Sequence, residues 1–365
     1  MYKLKTRINN LKHSFAIHHS SIIYSTKSDE IIIKDVDNEL ILFKIIEKSS
    51  GIGITLNTFH YSDYNNFISN TIDLKTCTVH KNQFLYLINN EKYILVKKRT
   101  KENNYLILLD NNLDVIWEKK RKIGKNRLLN NKNIFLTEFL DDTLLTCLST
   151  LSSDFIWQLN LAKLFKPFIN HQGLEIPYNI DRIIDVYNNQ LLISCNNHLI
   201  LSVDTNTGKL IHKWQEIPNI NVGEIEGLIP DASSFVLDKN VGKLIGAIYK
   251  YYFEIDLETK EISYKDISEE FKKHNIISIK NITGSPITET HMYLTALTEQ
   301  EIGAEVVGDY LFTLNRKTLK IDWIYKFNNK GFLGANKPQI SDNKLYQLDV
   351  NGTLHVFEKQ ETTTT

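Results

Sequence analysis

Residues 198–214 read HLILSVDTNTGKLIHKW, and this stretch decides the fold of the whole chain. Apolar residues alternate with other residues as far as Asp204, which is the pattern of a β-strand. Gly208 supplies the conformational freedom that a tight turn needs, and a second alternating run follows it. An isolated two-stranded ribbon is barely stable in water, so we expect this hairpin to belong to a repeated architecture.

Hairpins with the same register recur along the chain. Thr207 stands three residues after Asp204, and His212 stands eight residues after it. Asp256 and Asn315 are followed by a threonine and an aromatic residue at the same two distances. Further anchors of this kind are Asp35, Asp110 and, with weaker matches, Asn160 and Glu358. The intervals between most successive anchors are typical of four-stranded blades, which recur at roughly 40–50 residues.

Short β-type runs fill the chain from end to end. They do not alternate with helical periodicities of ten residues or more, which excludes a βαβ architecture. Residues 268–275 are predicted to form one short helix. The run LFKPF at 164–168 is predicted to be a weak strand.

The sequence therefore predicts an all-β fold, a β-propeller of four-stranded antiparallel blades, because radial repetition leaves few open sheet edges. Residues 2–8 have no other partner and the last repeat lacks an outgoing strand, so pairing of the N- and C-terminal segments is expected to close the ring. Seven blades are favoured. Eight is the alternative, because a further blade could lie near Asp73 and Thr76. We expect one domain over 1–361 and a disordered tail at 362–365.

An apolar strand, an aspartate, a Thr-Gly turn and a strand with tryptophan together resemble the quinoprotein-like (PQQ-like) β-propeller repeat. The resemblance is clearest in LSVDTNTGKLIHKW and in NKPQISDNKLYQLDVNGTLHVFEK. It implies that the aromatic side chain of the outgoing strand docks between blades. The residues concerned are Trp117, Tyr264 and Trp323, with His212 in the same slot and Trp214 beside it.

The same family includes dehydrogenases that hold a quinone and Ca²⁺. If this chain resembled those enzymes in function, it would be expected to be a secreted protein with an adjacent cysteine pair. Here Cys77, Cys147 and Cys195 are isolated, and no signal peptide precedes the first strands. We therefore expect a non-enzymatic member without a cofactor, kept in the cytoplasm, and buried free thiols at the three cysteines.

Charge composition bears on the partner. Lys plus Arg and Asp plus Glu both number 43, so the formal net charge is zero. The short basic run at 119–122 is interpreted as a solvated strand end and loop. A chain without a long basic block is not expected to bind nucleic acid or a membrane, which leaves another protein as the expected partner of a monomeric propeller.

Candidate binding residues lie where the repeat is interrupted, since loops of a rigid scaffold carry function more often than its strands. Two long loops contain acidic residues and a histidine, and residues 59–67 are expected to form an exposed aromatic patch. The adjacent His18 and His19 are expected to point to opposite faces of a strand. The binding candidates are His171, Glu175, Glu224, Glu226, Asp231, Phe59, Tyr61 and Tyr64.

Two functions remain open from the sequence. The favoured one is a non-catalytic interaction module, namely a scaffold, an assembly factor or an inhibitor, that uses its loops or channel mouth. The alternative is a hydrolase or lyase with a loop carboxylate and a histidine at the central channel. An enzyme should gather titratable groups from several blades in one concave site, whereas a binding module should show exposed apolar surface.

Overall fold

The structure is a computed structural model. It describes residues 1–47, 49, 51–54, 58–63, 68–82, 84–100, 102–215, 235–248, 250–279, 285–298, 310–327 and 337–360. The chain divides into a larger unit, His13–Glu216, and a smaller unit, Met1–Lys12 with Ile217–Thr365. No helix in the described part of the chain has the length and apolar character that crossing a membrane requires.

Strand β1 (Tyr2–Ile8) belongs to the smaller unit, and the larger unit follows it in the chain. The larger unit contains five four-stranded sheets, which are β2 (Leu11–His18), β3 (Ser21–Thr26), β4 (Glu30–Asp35), β5 (Ile41–Ile46); β6 (Gly51–Ile54), β7 (Thr58–Asp63), β8 (Ile68–Asp73), β9 (Val79–Asn82); β10 (Leu85–Asn89), β11 (Tyr93–Arg99), β12 (Asn104–Asp110), β13 (Val115–Lys120); β14 (Arg127–Leu129), β15 (Asn133–Glu138), β16 (Asp141–Ser149), β17 (Phe155–Asn160); and β20 (Ile180–Tyr187), β21 (Gln190–Cys195), β22 (Ile200–Asp204), β23 (Leu210–Trp214). Helix α1 (Leu161–Leu164) and the hairpin β18 (Phe168–Ile169) and β19 (Glu175–Ile176) lie between the fourth and fifth sheets in the chain.

The smaller unit contains three sheets. They are β24 (Phe235–Asp238), β25 (Lys243–Ile248), β26 (Tyr251–Asp256), β27 (Ile262–Asp266); β28 (Ile276–Ile279), β29 (His291–Thr298), β30 (Tyr310–Asn315), β31 (Ile321–Lys326); and β32 (Gln339–Ser341), β33 (Lys344–Leu348), β34 (Leu354–Lys359) with β1. Helix α2 (Ser268–Lys272) lies between the first two of these sheets in the chain, inside the predicted segment 268–275.

The fold class is a β-propeller with eight four-stranded antiparallel blades. The larger unit supplies five of them and the smaller unit three. Apolar cores lie between consecutive sheets: one cluster joins Phe135 and Trp157 of the fourth sheet to Leu201 and Val203 of the fifth. The preference for seven blades is wrong and the alternative of eight is correct, because β6–β9 form the extra blade near Asp73.

The extra blade was predicted only as an alternative because polar side chains form much of its buried face. Ser62 and Ser69 share a hydrogen bond of 2.6 Å, and both are buried. The ring of His60 lies 3.0 Å from the hydroxyls of both Thr58 and Thr71. Buried polar groups that satisfy one another stabilise a sheet without the apolar alternation by which a strand is predicted.

The anchors of the repeat are turn residues at the end of the third strand. In the opening hairpin the Asp204 carboxylate accepts hydrogen bonds from the backbone N–H groups of Asn206 and Thr207, at 3.1 and 2.8 Å. Asp35, Asp73, Asp256 and Asn315 accept the same two bonds at their turns. Such Asx turns explain why the register is visible in the sequence.

Two assignments around the fourth sheet were wrong. Its third strand ends at Ser149, so Asn160 ends the fourth strand and instead caps α1, accepting a bond from the backbone N–H of Lys163. Residues 164–168 therefore do not form its last strand, and its first strand is the short β14. A side-chain cap that captures a free N–H group favours a helical turn over continued strand.

The expected pairing of the N- and C-terminal segments is present within the smaller unit. β1 pairs antiparallel with β34 from Tyr2 opposite Lys359 to Ile8 opposite Leu354. It supplies the fourth strand that the last repeat lacks. Closure of a ring by this pairing stays a prediction.

Tryptophans tie consecutive blades together. The indole N–H of Trp117 donates to the carbonyl of Thr150, and that of Trp157 donates to the carbonyl of Thr205, at 2.9 and 2.8 Å. Each acceptor directly follows the last residue of the third strand of the next blade. Trp323 donates to the carbonyl of Tyr2 at 2.8 Å, and Tyr2 lies in β1 of the next sheet.

The inter-blade docking expected for Trp117 and Trp323 is therefore observed, whereas Tyr264 is 37% exposed and its ring contacts Phe253 of its own sheet. His212 is half-buried and contacts the ring of buried Trp214.

Candidate functional site

Of the two predicted loops, the structure describes the one bracketed by Pro167 and Pro177 but not residues 216–234 of the other. His171 and Glu175 are both exposed on the hairpin of β18 and β19, whose turn is fixed by the Asn170 side chain and by Gly173 at a φ of 77°. Glu224, Glu226 and Asp231 lie outside the described residues. A convergence of these five residues stays a prediction.

The aromatic patch predicted at 59–67 is wrong for its first two members. Phe59 is 0% exposed and Tyr61 is 1% exposed, because both belong to the core between the first two sheets. The Tyr61 hydroxyl donates to Glu47 at 2.6 Å, which satisfies the phenol inside the protein. Tyr64 lies outside the described residues.

Exposed apolar surface is found on the outer strands instead. Strands β5, β13, β17 and β23 each begin with two adjacent exposed apolar side chains. These pairs are Ile41 and Leu42, Val115 and Ile116, Phe155 and Ile156, and Leu210 and Ile211. Repetition at equivalent places in four blades distinguishes them from scattered surface hydrophobes.

The two adjacent histidines do not point apart as predicted. Strand β2 ends at His18, and His19 has a φ of 52°, so the two rings approach to 4.3 Å between centroids. Both line a cavity of about 420 Å³, together with Ile17, Ile54, Asn89, Asn90 and Glu91. No group of three or more histidine, cysteine or acidic residues in the described part of the chain is placed to hold a metal ion.

A second cavity, of about 300 Å³, is lined by residues of three consecutive blades and gathers cations from two of them. We call it the basic cavity. It is lined by Leu87 and Ile88 of β10, by Lys125, Asn126 and Arg127 at the start of β14, and by Arg182 and Ile183 of β20. These are the first strands of their sheets, and β10 contacts β14, which in turn contacts β20.

Two strands that line the basic cavity, β10 and β20, pair irregularly with their neighbours. The register between β10 and β11 shifts between Tyr86 and Ile88, at Leu87. In β20 the register shifts between Ile180 and Arg182, immediately before the arginine. Bulges of this kind bend a strand and redirect side chains, and they occur preferentially beside functional sites.

The segment that carries Lys125 and Arg127 is held by close backbone contacts. A Cβ atom on Gly124 would stand 2.3 Å from the Oγ1 of Thr137 and 2.6 Å from the carbonyl oxygen of Glu138, so only glycine fits there. Asn126 donates its side-chain N–H to the carbonyl of Ile180 at 2.8 Å, which joins β14 to β20. The cations are thus presented by rigid backbone.

Positive charge dominates around the basic cavity. Lys125 pairs with Asp142 at 3.1 Å, and its side chain is 61% exposed. Burial lowers the pKa of the Arg182 guanidinium, and nearby Asp185 opposes that shift. Burial also lowers the pKa of the neighbouring Lys97 ammonium, with a further lowering from like charges that include Arg127.

The arginine and lysine side chains that line this cavity suit the binding of anions. A guanidinium stays charged near neutral pH and offers several N–H donors in one plane. The residues that line the basic cavity include no carboxylate, imidazole or thiol. The arrangement therefore suits recognition of negative charge better than acid-base chemistry.

These residues were not predicted from the sequence, although part of the signal is present in it. The basic run at 119–122 continues through Lys125 to Arg127, interrupted by the close-packed Gly124. Arg182 lies in an ordinary strand pattern, and only the folded contact between β14 and β20 brings it to the same cavity.

One further polar cluster has the order of a catalytic relay. The Thr290 hydroxyl lies 2.8 Å from Nδ1 of His291, whose Nε2 lies 2.8 Å from the Asp322 carboxylate. Asn315 donates to the same carboxylate at 3.0 Å. The cluster lies outside both cavities described above, and it ties the start of β29 to β30 and β31.

No family model and no curated protein sequence matches the chain. Its structure is similar to BamB from Moraxella catarrhalis, with 13% sequence identity and a TM-score of 0.59 over 98% of this chain and 100% of that one. It is similar to Saccharomyces cerevisiae Sqt1, with 9% identity and a TM-score of 0.59 over 99% and 98% of the two chains. It is also similar to the C-terminal WD40 domain of Sif2, with 11% identity and a TM-score of 0.62 over 99% of each chain. At these identities the likeness concerns the fold alone.

Proposed function

We propose that this protein is a non-catalytic interaction module of the cytoplasm, a monomeric propeller that binds another protein. The observation that carries the proposal is the basic cavity, where three cations from two neighbouring blades meet aliphatic side chains of β10 and β20. Arginine is enriched at protein interfaces, where it combines charge with a large contact area.

Two further observations support binding over catalysis. Exposed apolar pairs recur on four outer strands, and such surface is what a binding module is expected to offer. The side chains that line the basic cavity offer lysine and arginine N–H donors and include no carboxylate, imidazole or thiol. The alternative is a hydrolase or lyase with a loop carboxylate and a histidine; the predicted loop residues His171 and Glu175 are both exposed and line neither cavity.

The test is quantitative affinity capture from the native cell, with the tagged chain and an unrelated propeller as bait. We expect one protein at near-stoichiometric amount with the chain alone, and a monomer of the free chain by size-exclusion chromatography. Failure to recover any partner, together with turnover of a small substrate by the purified chain, would contradict the proposal.

A further inference from the structure

We propose that the basic cavity binds an acidic peptide segment of the partner through its aspartate and glutamate carboxylates. This inference rests on the proposed interaction function and adds the chemistry of the partner. Arg127 and Arg182 come from neighbouring blades, so one extended segment with successive carboxylates could engage both. A guanidinium pairs with a carboxylate through two parallel N–H donors, which gives direction as well as attraction.

The walls of the cavity suit the rest of such a segment. Leu87 and Ile88 belong to β10 and Ile183 to β20, so aliphatic side chains border the cations on both sides. They offer apolar contact to the methylene groups of glutamate side chains. A volume of about 300 Å³ holds a few side chains and not a folded domain, which points to an extended segment.

Two acidic residues neighbour the cations of the cavity. The Lys125 ammonium and the Asp142 carboxylate are 3.1 Å apart and partly exposed, and pairs of that kind contribute little free energy because water competes for both charges. A ligand carboxylate can therefore replace or share the Lys125 pair at small cost. Burial lowers the pKa of Arg182, and Asp185 acts in the opposite direction by favouring the charged guanidinium.

Nucleic acid fits the same charges less well. Its backbone calls for a track of many cations, whereas the formal net charge of the chain is zero and the cavity gathers three cations. Single-stranded nucleic acid also binds by base stacking on aromatic rings, and the lining residues of the basic cavity include none.

The experiment measures fluorescence anisotropy of fluorescein-labelled hexaglutamate with the full chain, at low and at high salt. The principal variant is Arg127→Gln with Arg182→Gln, because glutamine keeps a polar side chain and removes the charge. The matched control is Lys163→Gln with Lys166→Gln, which removes two exposed cations outside the cavity in the same unit. Lys125→Gln, at a side chain 61% exposed, tests the same cavity with little risk to folding.

We expect hexaglutamate to bind with an affinity that falls at high salt. The double arginine variant should raise Kd about tenfold or more, Lys125→Gln about threefold, and the control less than about twofold. Equal Kd values in all variants, equal binding of hexalysine, or displacement by an oligothymidylate or inorganic phosphate at lower concentration than by free glutamate would each overturn the proposal. If capture finds a partner that binds the double variant unchanged, the interaction function stands and the acidic-segment inference fails.

Discussion

Gly208 has a left-handed backbone conformation and also packs closely against a tryptophan, and the cost of replacing it can be measured. Its φ of 71° lies in the left-handed region, and a Cβ there would stand 2.6 Å from the Trp157 ring of the preceding blade. Gly208→Ala should therefore lower the free energy of unfolding by about 2–4 kcal/mol, the sum of backbone strain and a displaced indole. Urea unfolding followed by tryptophan fluorescence measures the loss.

The control for this prediction is Gly173→Ala in the same unit. Gly173 has a φ of 77° but nothing within 4 Å of the position of a Cβ, so it reports the backbone cost alone, about 1 kcal/mol. Equal losses at the two glycines would show that Trp157 does not constrain the turn.

His60 makes the extra blade sensitive to acid. Burial lowers the pKa of its imidazole to about 4, and its ring stacks on Tyr86 of the next sheet at 5.1 Å. The His60 imidazole binds a proton near pH 6.5 in the unfolded chain but only near pH 4 in the folded chain. The folded state therefore loses stability as pH falls through that interval. Between pH 7 and pH 5 the loss should be about 2 kcal/mol from this residue.

The measurement compares urea unfolding at both pH values for the native chain and for His60→Gln. The variant should be less stable at pH 7, because its hydrogen bonds to Thr58 and Thr71 change, but its stability should depend less on pH. Other titrating groups contribute equally to both chains. An identical pH dependence would mean that His60 is not the group that titrates.

At the scale of elements, neighbouring blades of the smaller unit are joined by a buried ion pair. Asp238 ends β24, and its carboxylate lies 2.7 Å from the guanidinium of Arg316, which follows β30; the two side chains are 6% and 8% exposed. Asp238→Asn should lower the free energy of unfolding by about 3–5 kcal/mol, because it leaves a buried charge without its partner.

The exposed pair of Lys5 and Glu358, 3.1 Å apart in the same unit, supplies the control. Glu358→Gln should cost less than about 1 kcal/mol in the same urea titration. A comparable loss in both variants would show that burial of the Arg316 pair adds nothing.

Elements with a turn anchor and apolar alternation could be predicted from the sequence. The blade of β20–β23 is the clearest case, since Asp204, Thr207 and Gly208 specify its turn. The blade of β6–β9 could be predicted only as the eight-blade alternative, because its buried face is hydrogen-bonded, as at Ser62 and Ser69, and polar residues give no periodic signal.

The candidate site was less predictable from the sequence than the blades were. Loop residues were predicted on the general tendency of loops to carry function, whereas the basic cavity is formed by the first strands of three sheets. Arg127 and Arg182 are far apart in the sequence, and a single sequence contains no signal for a contact between blades. Phe59 and Tyr61 were misplaced because aromatic residues in a polar stretch resemble a surface patch, although they fill a core.

At the scale of the molecule, the first strand of the chain belongs to the last blade. β1 covers β34, and Tyr2 accepts the indole N–H of Trp323. Deletion of residues 1–8 should therefore lower the urea midpoint of the smaller unit and shift Trp323 emission to longer wavelength, because a paired edge and a tryptophan contact are lost together.

A synthetic peptide of residues 1–9 added in trans should restore part of the lost midpoint. The control is deletion of residues 362–365, which follow the last paired residue, Lys359, and should leave the midpoint unchanged. An unchanged midpoint after removal of residues 1–8 would show that β34 is stable as an edge strand.

The pairing of β1 with β34 also orders events during synthesis. The ribosome makes β1 before the other described strands, and its partner β34 emerges only after the intervening residues have been translated. Folding in the direction of synthesis can complete the intervening blades, but β1 must wait with unsatisfied backbone groups. The nascent protein therefore carries an unpaired strand until β34 has emerged, and a chaperone that shields such strands would act on β1.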